Sequence, residues 1–175
     1  VDLPGAFSLK GGGILENLTD SLTRSGTIGL DMVTRNLNFL TGLTGVTPDG
    51  SLVIPDSMSL KMKMEMNGPQ YKAKLDLKEG KGSMNVNAAL NSSTEVYTAD
   101  MKINHFLPKD SIYELSLSAD AKGRGLDVMS FHSLANLNLS LDQLHYARYH
   151  LSNVHLTGNL KGALATAQLP SDNEL

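Results

Sequence analysis

The chain has 175 residues, 41% of them hydrophobic and 19% charged, with a net charge of -3 and no cysteine. Its apolar content is too high and its net charge too low for a disordered chain; it also lacks the positive field that a nucleic-acid binder needs over phosphates. Without cysteine there are no disulfides, zinc–thiolate sites, iron–sulfur clusters or cysteine nucleophiles.

Read from the N-terminus, Phe7 and Leu9 begin an alternation of apolar and polar residues. Gly11-Gly12-Gly13 reads as a turn, and the alternation resumes at Ile28, Leu30 and Met32. It fails over Asn36–Leu43, where clustered apolar residues predict a turn or two of helix. Met58, Leu60, Met62, Met64 and Met66 then occupy every second position, with Ser59, Lys61, Lys63 and Glu65 between them. Successive strand side chains point to opposite faces, so this is a strand with one oily and one wet side. Tyr71, Ala73, Leu75 and Leu77 continue the pattern, and Glu79-Gly80-Lys81-Gly82 turns the chain into Met84, Val86, Ala88 and Leu90. Two such runs joined by a short Gly-containing turn predict an antiparallel hairpin. Tyr97, Ala99, Met101 and Ile103 form the next run, and a second short helix is expected over Asn104–Asp110. Tyr113, Leu115, Leu117, Ala119 and Ala121 follow, with a turn at Gly123-Arg124-Gly125. Ala135, Leu137, Leu139 and Leu141, then Val154, Leu156, Gly158 and Leu160, close the series. Short strands with frequent turn signals predict a sandwich, a barrel or a long meander.

The apolar face is aliphatic. Aromatic residues are 5% of the chain, tryptophan is absent, and of eight methionines four share one face of residues 58–66. A closed sandwich commonly centres on large aromatics; methionine instead makes a soft, adaptable surface that suits an acyl chain. A methionine-rich core is the plainer account of the same residues. The length fits one domain, 1–175. The start at Val1 and the end just after Pro170-Ser171-Asp172-Asn173 are read as cuts in a longer chain, whose terminal strands would be open edges able to pair copies in a crystal. No run of roughly 18 apolar residues spans a membrane as a helix.

Catalytic signals are missing. No Gly-x-Ser-x-Gly elbow occurs. Serines and acids (Asp76, Asp100, Glu114, Asp120, Asp142) fall singly at polar alternate positions, with no pair marked for acid–base work. Of the five histidines, His145 and His155 share a face of one continuous strand about 33 Å apart, at roughly 3.3 Å per residue. His150 points the other way; a hairpin could bring two of them together, but no carboxylate sits nearby to orient them, so no metal or other cofactor is expected.

Several segments resemble the repeating unit of the AsmA-like envelope proteins, with the flavour of the Bacteroidetes members related to the translocation and assembly module subunit TamB. They are Gly26–Asp31 leading to Asn36–Leu40, Gly50–Leu60, and Leu156–Ala167. The resemblance implies an inner-membrane-anchored parent crossing the periplasm of a Gram-negative bacterium as a long curled β-sheet. It implies phospholipid carried toward the outer membrane along an apolar concave face, an outer-membrane assembly partner met by other regions, and no catalytic residues.

The expectation is therefore an all-β domain: a long, curled, mostly antiparallel sheet forming an open apolar groove of the β-taco kind, with one or two short helical turns. A closed β-sandwich serving as a structural or adhesin module is the alternative. The lining residues of the groove are Met58, Leu60, Met62, Met64, Met66, Leu75, Leu77, Met84, Val86, Met101, Ile103, Leu115, Leu117, Leu137, Leu139, Leu141, Val154, Leu156 and Leu160. The partner is a phospholipid or other acyl chain, or a nascent outer-membrane protein segment; nucleic acid is not a partner.

Overall fold

The structure, a computed structural model, describes residues 1–35, 57–106, 113–146 and 149–169. Eleven strands follow one another: β1 (Asp2–Leu3), β2 (Phe7–Glu16), β3 (Ser25–Thr34), β4 (Met58–Asn67), β5 (Gln70–Glu79), β6 (Gly82–Asn91), β7 (Val96–Phe106), β8 (Tyr113–Arg124), β9 (Leu134–Tyr146), β10 (Tyr149–Lys161) and β11 (Leu164–Gln168). They form a single sheet in that order, each strand antiparallel to the next, and the sheet does not close into a barrel. The described residues supply one sheet only, so the second layer of a sandwich is not among them.

Two-residue connections make the tight hairpins. Gly80 sits at φ 51° between β5 and β6, and Gly162 at φ 60° between β10 and β11. Glycine takes the left-handed conformation without a Cβ penalty.

Several local readings are corrected. Gly11-Gly12-Gly13 is not a turn but the middle of β2, paired with Leu30, Gly29 and Ile28. A Cβ on Gly13 would stand 2.5 Å from the Thr27 carbonyl oxygen, which explains why the strand has no side chain there. Gly123 and Arg124 belong to β8; a Cβ on Gly123 would collide with the Tyr97 ring of the neighbouring strand. Asn104, His105 and Phe106 end β7 rather than opening a helix, and the rest of that predicted helix lies outside the described residues, as does all of Asn36–Leu43. The run from His145 to His155 is not one strand: β9 ends at Tyr146 and β10 starts at Tyr149.

Among the described residues no hydrophobic side chain is buried, and Thr34, Ser116 and Ser133 are the buried polar ones. A single layer has nothing to press its apolar face against, so its side chains are shielded sideways by cross-strand neighbours and left open above. Thr34 shows how the sheet satisfies itself locally: its Oγ1 donates to the Met58 carbonyl at 3.2 Å and accepts the Met58 N–H at 3.0 Å.

Candidate functional site

Register puts the nineteen apolar residues named from the sequence on one face. Leu60, Leu77, Met84, Ile103, Leu117, Leu141 and Val154 form one row from β4 to β10, which Leu9 and Met32 extend across β2 and β3. Met62, Leu75, Val86, Met101, Ala119, Leu139 and Leu156 form the next, continued by Leu30. The third row starts at Ile28 and Met64 and then turns small: Ala73, Ala88, Ala99 and Ala121 lie side by side on β5 to β8, followed by Leu137. Beyond it stand Met66, Tyr71, Leu90, Tyr97, Gly123, Ala135 and Leu160. Met58 opposes Thr34 and Glu79, and Leu115 opposes Phe106 and Leu144.

The alanine row is a furrow, flanked on β5 to β7 by the larger side chains of the adjoining rows and opening on β8 between Ala119 and Gly123. Four strands at about 4.8 Å spacing give it a length of roughly 14 Å. A hollow of about 500 Å³ opens on it, lined by Ala73, Ala88 and Ala99 and by Ile28, Met64, Met66, Tyr71, Leu90 and Tyr97. Leu15 and Leu18 of the β2 end and Leu126 after β8 also line it, and Gly26, Glu65, Lys72, Ala89 and Thr98 border it. This is in the range of small-molecule pockets, roughly 300–1,000 Å³. Arg24 braces one end. Its guanidinium lies 5.0 Å from the Tyr71 ring centroid, and its Nε donates to the Gly68 carbonyl at 3.2 Å.

The lining named from the sequence leaves out Tyr71, Leu90, Tyr97, Phe106, Leu144 and Leu151 of this face. The first three lay in alternating runs already visible. The last three are hidden by irregularities: the register shifts between Ile103 and Phe106 and between Ser116 and Leu117. Asn153 takes φ 55° between Ser152 and Val154. Such bulges put Leu144 three residues after Leu141, and Leu151 three before Val154, so strict alternation cannot find them.

The other face is polar and pairs its groups. Asp100 lies directly opposite Asp120 in register. Asn87 donates to Asp100 at 2.7 Å and Asn138 to Asp120 at 3.0 Å, and Asn85 donates to Asp76 at 2.6 Å. Lys63 contacts Glu65 at 2.5 Å; this ammonium, first as hydrogen-bond donor and then as charge, holds the Glu65 carboxyl below the usual range. The β9–β10 hairpin stacks His145 on His150 with ring centroids 4.0 Å apart. Glu114, in register with His145, contacts His105 Nδ1 at 2.6 Å and accepts from Gln143 at 3.2 Å. A carboxylate therefore does lie beside the histidines. Among the described residues no group of three or more such side chains could hold a metal ion.

The chain matches no family model, no curated protein and no solved structure.

Proposed function

We propose that this chain is a non-catalytic module that shelters acyl chains on the apolar face of its sheet, which curls into an open groove. The hollow over the alanine furrow carries the reading. It is mostly apolar, it crosses the strands instead of following one, and among the described residues no second layer buries the side chains around it. Burying a methylene is worth about 0.8 kcal/mol, so a long chain is held without polar recognition. The likeness to AsmA-like units supports a place in the periplasm, in a parent anchored to the inner membrane, with phospholipid as cargo and a role in outer-membrane biogenesis. A nascent outer-membrane protein segment is a second occupant of the same kind. Among the described residues β1 and β11 are the outer strands of the sheet, which supports pairing with another copy.

Mass spectrometry of organic extracts from the purified chain tests the reading. Co-purifying lipid in about stoichiometric amount is the expected result. Repeated absence of lipid, together with failure to take up added fatty acid, would overturn it.

A further inference from the structure

The loops at one end of the sheet are not ordinary solvent loops. The segment Gly125–Ser133, between β8 and β9, is tied into a compact turn. The Ser133 hydroxyl is fully buried and donates to the Asp127 carbonyl at 2.5 Å. Asp127 Oδ1 accepts the Met129 N–H at 3.0 Å, and the N–H groups of Ser130 and Ser133 are bonded to the carbonyls of Asp127 and Ser130. This framework turns Val128, Met129 and Phe131 outward; Phe131 is 87% exposed and Met129 71%.

The loop between β2 and β3 leaves the same end of the sheet, because Glu16, Ser25, Asn67, Asn91, Arg124 and Leu134 terminate their strands there in register. It too is tied. Asp20 accepts from the Leu22 N–H at 2.9 Å and the Thr23 hydroxyl at 2.8 Å, leaving Leu22 72% exposed.

Large apolar side chains held outward by satisfied backbone are costly in water and mark a contact surface. They suit entry into a lipid interface, where unpaired N–H groups are not tolerated. The rim is also continuous with the hollow, since Leu18 and Leu126 of the same two loops line it. Within these two loops Arg24 is engaged with Gly68, Ser92 and Tyr71, and Asp20 and Asp127 within their own loops, while Glu95, Arg124 and His132 border the same end.

We infer that this rim docks on a lipid bilayer surface by inserting Leu22, Val128, Met129 and Phe131, which places the mouth of the hollow against the acyl region. The inference rests on the acyl-sheltering reading for what enters the hollow, but docking is measured separately. No basic cluster faces outward from these two loops, so the contact is apolar rather than electrostatic.

The test is co-sedimentation of the full chain with phosphatidylcholine vesicles, and with vesicles in which part of the lipid is phosphatidylglycerol. Binding to both, with no gain from the anionic lipid, is expected. Val128→Ser/Met129→Ser/Phe131→Ser should weaken partition about 10-fold or more, while Leu3→Ser/Val33→Ser, at the other end of the sheet, leaves it unchanged. Circular dichroism monitors folding of both; should the triple variant not fold, Leu22→Ser alone should still weaken partition several-fold. Absence of vesicle binding by the wild type would overturn the inference. So would equal loss in the two sets of variants, or self-association abolished by the rim changes, which would make the rim a protein contact. The rim variant keeps its affinity for dissolved fatty acid and a furrow-filling variant keeps vesicle binding, so failure of either idea is recognised apart from the other.

Discussion

Filling the furrow is the sharpest perturbation of acyl binding. Ala88 lies at its centre, between Ala73 and Ala99 on neighbouring strands. In Ala88→Phe, the ring would occupy about one strand spacing, ~4.8 Å, and displace roughly three methylenes of a chain lying there. At about 0.8 kcal/mol each, full enclosure makes the loss ~2.4 kcal/mol, or about 60-fold in Kd. A chain covered on one side only would lose about half of that, roughly 8-fold. Lys74→Phe is the matched control. Its position pairs with Lys63 and Asn87 in a row of the polar face and does not line the hollow, so it puts the same ring on the sheet without entering the furrow. The assay is displacement of a fluorescent fatty acid by unlabelled acids of increasing length. Two added methylenes should tighten binding about 15-fold in an enclosing groove and about 4-fold on an open face. Affinity independent of chain length, or an equal loss for Ala88→Phe and Lys74→Phe, would refute the reasoning.

Other outcomes follow from single residues. Gly12 has open space where a Cβ would go, and Gly13 has the Thr27 carbonyl there; in urea unfolding Gly12→Ala should stabilise by about 0.5 kcal/mol, whereas Gly13→Ala should destabilise by more than about 1 kcal/mol. Gly123→Ala should push the Tyr97 ring off its neighbour, read as a change in Tyr97 ring proton shifts and weaker fatty-acid binding. Asp20 is held below the ordinary aspartate range, chiefly by the Leu22 N–H and next by the Thr23 hydroxyl. A depressed carboxyl favours the fold above its unfolded pKa, so the Leu22 and Thr23 amide shifts should stay constant above about pH 4 and move as pH falls through the lowered value. The edge at β11 should pair chains at high concentration, and Ala167→Lys, a charge placed on that edge, should reduce the association seen by sedimentation velocity.

Much of the sheet was legible because the signal for a one-sided strand is local. Met58 to Met66 needs no partner to declare which side faces which way, and the same holds for Leu75, Val86 and Leu139. What failed was whatever depends on the neighbour. Gly11-Gly12-Gly13 carries no side-chain pattern, so only the crowding against Thr27 and Ile28 reveals it as strand. Between His145 and His155 a hairpin was only one of two readings, because that stretch holds no glycine or proline to mark a turn. The opposition of Asp100 to Asp120 is a fact of register between strands. The furrow was out of reach for the same reason: each alanine is unremarkable within its own run, and only register sets four of them in line.

The order of the sheet has a consequence for how the chain acquires it. Because each strand pairs with the strands just before and after it in sequence, closing one hairpin does not wait for distant segments to meet. Local pairings of this kind keep contact order low and favour rapid zippering from several starting points. They also let the sheet change length by whole hairpins. Duplicating or deleting one would move its ends by about 9.6 Å and leave the remaining pairings intact.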